Sequence, residues 1–484
     1  MTSDAPTGGP TRRQWIVLCS VFLLSLPAVT CRIYSSDEIQ YFAYLRSLWF
    51  DHDLSFENEY RYFYDRGIAR SEGFHETFLE RTTDTGRRIN FGTIGCAILW
   101  APFYTAGDAV ARVADAPVDG FSKPYIAAVA YGSAVYGFLA IVIGILCART
   151  LGLDGQCGGA AVWLGTPLLF YMYVAPPFSH ACSAFSVSVF VYVWLRVRCT
   201  WTVRGAVALG AVGALMAMVR EQDVFFALPV AFDFLARGQT GVKPGFDRGQ
   251  TPMQKLQAAV AGVVAFALCF LPQAIAYVRL NGRLGPHASV ANKMNWYGPH
   301  TLQVLFSPEH GYFVWTPLAV IGIAGLVMMA LSSQGGSHAR SGTPSPSGLH
   351  AGDSRRVAIW MLGMIALQVY IGGSVESWTV AGGYGQRRFI ALTVLLIVGL
   401  AAADSALRAS SRQVRRVFVA VCVVAAYWNV ALITEFAIGR MDRQRLEPRR
   451  NAYDAFVTLP LQAPSLAYRY LFDRASFYKS RTMP

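Results

Sequence analysis

Residues 15–45 read WIVLCSVFLLSLPAVTCRIYSSDEIQYFAYL, an apolar run followed by two adjacent carboxylates. The apolar part, residues 15–33, is long enough to cross a hydrocarbon core of roughly 30 Å. Asp37 and Glu38 therefore stand where the chain leaves the membrane, a costly place for ionisable groups. Ser35 and Glu38 have the spacing of a capping box, which begins a helix. Two interpretations stay open: a helix cap alone, or a cap that holds Asp37 in a cavity as a general base.

The composition places the chain among polytopic membrane proteins of the all-α class. Of its 484 residues, 54% are hydrophobic and 13% aromatic, and the mean hydropathy is +0.36. The formal charge of +13 comes from Arg and Lys clustered in short connections between apolar runs, a pattern typical of topology signals. Nucleic acid is therefore not expected as a partner. The nine cysteines contain no Cys-x-x-Cys pair and are interpreted as small buried apolar residues.

Hydropathy predicts about 11 to 13 transmembrane helices within one domain, residues 15–436. The positive-inside rule puts residues 1–14 in the cytoplasm, together with the connections at 196–204, 237–255, 332–356 and 408–416. Residues 332–356 are predicted to be a disordered linker, and residues 437–484 a basic C-terminal tail. After the first span, the apolar runs are 93–113, 124–147, 158–174, 180–195, 205–219, 224–235, 256–278, 311–331, 357–371, 389–403 and 417–436.

Residues 34–92 are predicted to form a polar outer loop. Ile39, Phe42, Leu45 and Trp49 recur at helical spacing in it, which predicts an amphipathic helix along the membrane surface. Three apolar runs separate this loop from the next outer connection at Pro176, where an even number is needed. We therefore expect one of them, the run 93–113, not to cross the membrane fully.

This topology brings ionisable residues together on the outer face. A carboxylate base with a histidine and several arginines suits a reaction that removes a proton and releases a phosphate. Each position also has a structural alternative, since Arg220 to Asp223 can be an ion-paired turn, His180 a helix cap, and Arg387 and Arg388 interfacial anchors. Two adjacent arginines on an outer, Gly-rich turn oppose the positive-inside trend, which favours a phosphate role for them. The candidates are Asp37 and Glu38 as catalytic carboxylates, Arg387, Arg388 and Arg220 as phosphate ligands, and His180, Lys293 and Glu376 as substrate ligands.

The run Asp51-His52-Asp53 is compatible with a metal site or an Asp-x-Asp motif. A polar turn that ends the amphipathic helix is the favoured interpretation, because this spacing is common in turns. Asp53 is kept as a candidate substrate ligand. A divalent metal ion stays open as a cofactor, with no ligand set indicated.

Four parts of the chain resemble integral-membrane glycosyltransferases of the GT-C superfamily. The similarity is greatest to the bacterial branch that includes protein mannosyltransferases and lipid A aminoarabinose transferases. The resemblance depends on the order of these four parts in the chain and on their placement on one membrane face. It extends over most of the chain. The four parts are Ser36-Asp37-Glu38-x-x-Tyr41 with Asp51-His52-Asp53-Leu54-x-Phe56-x-Asn58-Glu59-Tyr60; Asn90-Phe91-Gly92-x-x-Gly95 with Leu99-Trp100-Ala101-Pro102-Phe103; Gly165-Thr166-Pro167-Leu168-Leu169 with Phe178-Ser179-His180-Ala181; and Leu305-Phe306-Ser307-Pro308-x-x-Gly311 with residues 378–388.

The resemblance implies an inverting transferase of the inner (plasma) membrane, with its active site on the outer, periplasmic side. Its donor would be a polyprenyl-phosphate sugar, and its acceptor a lipid, a cell-envelope glycan or a protein. Asp37 would be the base, Glu38 or Asp53 would assist acceptor or metal binding, and Arg387 and Arg388 would hold the lipid phosphate. The short tail departs from better-known members, which have a large soluble C-terminal domain. Two alternatives stay open: a non-catalytic transporter or flippase of polyprenyl-linked sugars, and a glycan ligase that uses a polyprenyl-diphosphate donor.

Overall fold

The computed structural model describes residues 12–236, 251–332, 351–408, 410–474 and 476–479. Helices build this part of the chain. It contains no β-strand, and its extended pairing is confined to two isolated bridges, Thr82 with Arg88 and Met294 with Val375. The all-α class predicted from the composition is therefore confirmed. Most of the predicted linker and of the N-terminal segment lies outside the described residues, whereas residues 351–356 form the first turns of a helix.

Short turns of 3-10 or π geometry connect several of the α-helices. Three matter for the site: Ser47–Asp51 continues the second helix, Glu221–Phe226 follows the tenth, and Arg387–Leu392 leads into the eighteenth. In chain order the described α-helices are α1 (Arg12–Ser25), α2 (Ser36–Arg46), α3 (Glu57–Asp65), α4 (Glu72–Phe74), α5 (Gly95–Val113), α6 (Lys123–Thr150), α7 (Gln156–Gly165), α8 (Leu168–Tyr173), α9 (His180–Val197), α10 (Val203–Val219), α11 (Ala227–Ala236), α12 (Pro252–Asn281), α13 (Ala288–Ala291), α14 (Thr301–Phe306), α15 (Tyr312–Trp315), α16 (Leu318–Leu331), α17 (Ala351–Ser374), α18 (Thr393–Arg408), α19 (Arg412–Ile438), α20 (Pro448–Tyr453), α21 (Leu459–Phe472) and α22 (Ser476–Lys479).

Six helical segments of the described chain are long and apolar enough to cross a membrane. They are α6, α9, α12, α17, α19, and α18 with the turn that precedes it. Helices α10 and α16 are apolar but shorter, and α5 is not among the six. The predicted run 158–174 is divided into α7 and α8 at Thr166, which is extended, and Pro167, which lacks the N–H that would continue a helix. This interruption is one reason why fewer of the described segments reach spanning length than the 11 to 13 predicted.

Small residues let neighbouring helices approach closely. A Cβ atom on Gly210 of α10 would lie 2.1 Å from the carbonyl oxygen of Gly262 of α12, and one on Gly325 of α16 would lie 1.9 Å from that of Gly399 of α18. The side of α12 that faces away from the other helices carries apolar residues with little protein cover, since Val263 is 69% and Leu268 60% exposed. An apolar surface of this kind is what membrane lipid covers.

The predicted amphipathic helix is α2, but its apolar side faces protein. Ile39, Phe42 and Leu45 are buried, and the ring of Phe42 packs against Tyr104 of α5. These residues therefore do not lie on the membrane surface. The contact holds the first turn of α2, with Asp37 and Glu38, against the helical bundle.

Candidate functional site

A cavity of about 490 Å³ opens between the start of α2, the start of α9 and the end of α17. The turns Glu221–Phe226 and Arg387–Leu392 complete its wall. It gathers six of the nine residues that sequence selects, from positions as far apart as 37 and 388. They are Asp37, His180, Arg220, Lys293, Arg387 and Arg388.

Asp37 and Arg387 form an ion pair in this cavity. Nη1 of Arg387 donates to Oδ2 of Asp37 over 2.8 Å, and the guanidinium lies 5.3 Å from the ring centre of Phe178. The Asp37 side chain is 41% exposed and that of Arg387 17%. The carboxylate is thus held in place by one side chain and is still open to the cavity.

Glu38 has a different environment from its neighbour. It is fully buried, and its Oε2 accepts hydrogen bonds from the backbone N–H groups of Tyr34 and Ser35 at 2.7 and 2.9 Å. The Ser35 hydroxyl in turn accepts from the N–H of Glu38, which completes the predicted capping box. Burial raises the pKa of Glu38 to about 7. Its contacts are those of a helix cap, and it does not line the cavity.

Arg220 links the turn after α10 to α9. Its Nη1 donates to Nδ1 of His180 over 2.9 Å, and its Nη2 donates to Gln222 over 3.3 Å. Because a guanidinium can only donate, Nδ1 of His180 is the acceptor and its ring proton resides on Nε2. The neutral imidazole therefore offers an N–H donor beside three arginines.

The two acidic residues of the same turn bond outward to helices. Glu221 accepts from the hydroxyl of Tyr277 on α12, and Asp223 accepts from the hydroxyl of Ser183 on α9 over 2.6 Å. Burial raises the pKa of Asp223 to about 6. Hydrogen bonds to α9 and α12 thus tie this turn to its neighbours, and the turn is not the ion-paired one of the alternative interpretation.

Arg388 and Lys293 add positive charge to the other side of the cavity. Arg388 donates from Nη1 to the carbonyl oxygen of Ser377 over 2.8 Å, and Nζ of Lys293 lies 5.8 Å from the ring centre of Phe91. Four basic side chains therefore line the cavity, against the two acidic side chains of Asp37 and Glu221. This excess of positive charge favours an anionic ligand.

Glu376 and Asp53 lie apart from the cavity lining. Glu376 contacts Lys293 only through the backbone, where its N–H donates to the Lys293 carbonyl oxygen over 2.8 Å, and its side chain is exposed. Asp53 accepts from the Ser47 hydroxyl and from the N–H of Ser55, at 2.8 and 2.9 Å, and so forms a polar turn after α2. Among the described residues, no three His, Cys, Asp or Glu side chains converge in a group that could hold a metal ion.

His310 supports the arginine loop, residues 378–388, and sequence reasoning did not select it. Its Nε2 donates to the carbonyl oxygen of Gly383 over 2.7 Å, while Gln386 donates to the carbonyl oxygens of His310 and Trp378, each over 3.1 Å. The His310 ring stacks on Trp315, with centroids 4.8 Å apart. Burial lowers its pKa to about 4, so it is neutral at pH 7. The sequence feature that could have identified His310 is its position inside Ser307-Pro308-x-x-Gly311.

Comparison of the sequence with models of known protein families finds no match, and comparison with curated proteins finds none either.

Proposed function

We propose that this protein is a GT-C-type membrane glycosyltransferase that moves a sugar from a polyprenyl-phosphate donor to a lipid, glycan or protein acceptor. The observation that carries the proposal is the exposed Asp37 carboxylate, which meets Arg387 in a cavity that also contains Arg220, Arg388 and Lys293. A base and several phosphate ligands within one cavity are what this transfer needs. Helices of spanning length around the cavity suit a lipid-linked donor.

Asp37 acts as the base in the proposed reaction. It takes the proton of the acceptor hydroxyl while that oxygen forms a bond to the anomeric carbon. The bond from that carbon to the phosphate oxygen breaks on the opposite side of the sugar, so the configuration inverts. The proton ends on Asp37, and polyprenyl phosphate departs with the electron pair.

The arginines stabilise the charge that develops on the departing phosphate. A phosphodiester carries one negative charge, whereas the phosphomonoester product approaches two at neutral pH. Fixed guanidinium groups near the leaving oxygen therefore stabilise the transition state more than the bound donor. Arg387 has a second role, because its hydrogen bond to Oδ2 of Asp37 holds the carboxylate in place within the cavity.

Phe91, Phe225 and Trp296 contribute flat apolar surface to the cavity wall. Aromatic rings of this kind pack against the apolar faces of sugars, so we assign the sugar to this part of the cavity. We place the protein in the inner membrane with this cavity on the outer side, as the distribution of basic connections favours.

The test measures transfer by purified full-length protein from a panel of polyprenyl-phosphate sugars, with donor binding measured in parallel. Wild type is compared with Asp37→Asn and Arg387→Ala. Asp84→Asn, which removes an exposed carboxylate on the same outer loop away from the cavity lining, is the matched control. We expect Asp37→Asn to bind donor without turnover and Asp84→Asn to behave as wild type.

Two results would contradict the proposal and identify a different function. Donor movement across a bilayer without any sugar transfer would identify a transporter or flippase. Turnover only with polyprenyl-diphosphate donors would identify a glycan ligase.

A further inference from the structure

A basic segment follows α19 directly. Helix α19 is one of the six segments of spanning length, and Gly439, with φ of 74°, ends it in the left-handed conformation. Residues 440–450 then contain five arginines, at positions 440, 443, 445, 449 and 450, against two acidic residues. Because the segment begins where a membrane-length helix ends, it lies at the level of lipid headgroups.

The basic segment forms one side of a groove of about 420 Å³. Phe306, Val314 and Leu446 supply apolar walls, while Arg445 and Glu447 supply charge. The groove is anchored by a hydrogen bond of 2.9 Å from the N–H of Leu446 to the carbonyl oxygen of Pro308. Phe306 is 58% exposed, so the groove opens to the surroundings.

Arg445 lines this groove, and Arg449 directly follows Pro448, the last residue of the lining. Glu447 pairs with Arg450 at 3.1 Å, and Arg440 pairs with Asp454 at 3.4 Å. Within the described part of the chain, Arg445 and Arg449 have no acidic partner, and both are exposed. The groove therefore presents positive charge beside apolar surface.

Helix α21 follows the groove residues in the chain and carries apolar residues with little protein cover. Leu461, Leu471 and Phe472 on this helix are between 72% and 79% exposed. Two hydrogen bonds from Arg474, to the carbonyl oxygens of Pro27 and Ala28 at 2.7 and 2.6 Å, fasten the chain after α21 to the turn that follows α1. A surface helix with exposed apolar residues and neighbouring arginines is typical of segments that lie in a membrane interface.

We propose that this C-terminal groove binds an anionic phospholipid of the bilayer. Arg445 and Arg449 hold the headgroup phosphate through charge-assisted hydrogen bonds. The upper part of an acyl chain lies along Phe306, Val314 and Leu446, and the exposed apolar residues of α21 lie in the membrane interface. This site is separate from the cavity at Asp37 and does not depend on the proposed transferase activity.

The test is native mass spectrometry of detergent-purified full-length protein titrated with phosphatidylglycerol or phosphatidylcholine of identical acyl chains. Wild type should bind phosphatidylglycerol more tightly. Arg445→Ala/Arg449→Ala should lose roughly thirty-fold in that affinity, since each basic residue at an anionic surface contributes about one kcal/mol, with phosphatidylcholine binding unchanged. Arg445→Lys/Arg449→Lys should keep most of the affinity.

The control is Arg66→Ala/Arg70→Ala, which removes the same charge from exposed positions on the outer loop. An equal loss of affinity in this control would overturn the site, because the effect would then reflect net charge alone. Equal binding of the two lipids by wild type would also overturn it. A third arm adds inorganic phosphate, and full competition with the lipid at equal concentration would show a site for free phosphate instead. Unfolding temperatures without lipid, equal for all variants, exclude a folding defect.

Discussion

The guanidinium of Arg387 donates a hydrogen bond of 2.8 Å to the carboxylate of Asp37, which lies 350 positions earlier in the chain. Asp37 stands in the first turn of α2, and Arg387 begins the turn that leads into α18. The pair joins the segment between α1 and α5 to a segment of spanning length. It also places Asp37 in the same cavity wall as three further basic side chains, those of Arg220, Lys293 and Arg388.

Exchange of the two neighbouring carboxylates for amides should separate their roles. Asp37→Asn should lower kcat by about two to four orders of magnitude, the usual contribution of a general base. Its donor binding should be unchanged or tighter, since one negative charge leaves the cavity and Arg387 is released. Glu38→Gln should keep kcat within a few fold, because this side chain is buried and caps α2. Single-turnover kinetics with binding in parallel checks both, and equal losses in the two variants would contradict the assignment.

Replacement of Arg387 should weaken donor binding. Arg387→Ala should raise the donor Kd about ten- to a hundred-fold, the range for loss of a hydrogen bond to a charged group. Arg387→Lys should recover part of this loss, because lysine keeps the charge without the planar fork. Arg61→Ala removes an exposed arginine paired with Glu57 and should have no effect. If Arg61→Ala weakened binding equally, the cation at position 387 would have no specific role.

His310 should make stability depend on pH in a defined window. Its folded pKa of about 4 lies below the ordinary value of 6.5. Between pH 6.5 and pH 4, His310 is therefore protonated in the unfolded chain and neutral in the native protein. The contribution of His310 is complete above pH 6.5 and falls by on the order of 3 kcal/mol as the pH drops through about 4.

The comparison uses His310→Asn, since asparagine tolerates the positive φ of 66° at this position. Unfolding in detergent at pH 7 and pH 4.5 should show a larger loss of stability for wild type than for the variant. Identical losses would show that other groups produce the pH dependence.

Gly95 should not tolerate a side chain. A Cβ atom there would lie 2.4 Å from the backbone carbonyl carbon of Met218 and from the nitrogen of Val219, just before Arg220. Gly95→Ala should therefore lower the free energy of unfolding by about 1–3 kcal/mol, as overpacking does, and reduce turnover by moving Arg220. Gly73→Ala is the control, since a Cβ atom there meets nothing within 4 Å. Unfolding temperatures check both, and equal stability of the two variants would contradict the close approach of α5 and α10.

Local features of the fold were predictable because they depend on near neighbours in the chain. Apolar runs of membrane length yielded helices such as α6, α12 and α19, and the spacing of Ser35 and Glu38 yielded the observed capping box. Hydropathy does not predict the interruption at Pro167, since a continuous apolar run hides the loss of one backbone donor. It also does not predict which way the apolar side of α2 faces, because it does not distinguish lipid from a protein core.

The sequence by itself determined that this is a helical chain with apolar segments of membrane length and that ionisable residues gather between them. Only the tertiary structure decided that Asp37, and not Glu38, enters the cavity, since adjacent residues on a helix point about 100° apart and packing selects one of them. It also brought Arg220, Arg387 and Arg388 to that carboxylate, left Asp53 and Glu376 away from the lining, and placed His310 beneath the arginine loop. These relationships depend on contacts between distant segments, which helical periodicity and residue spacing do not encode.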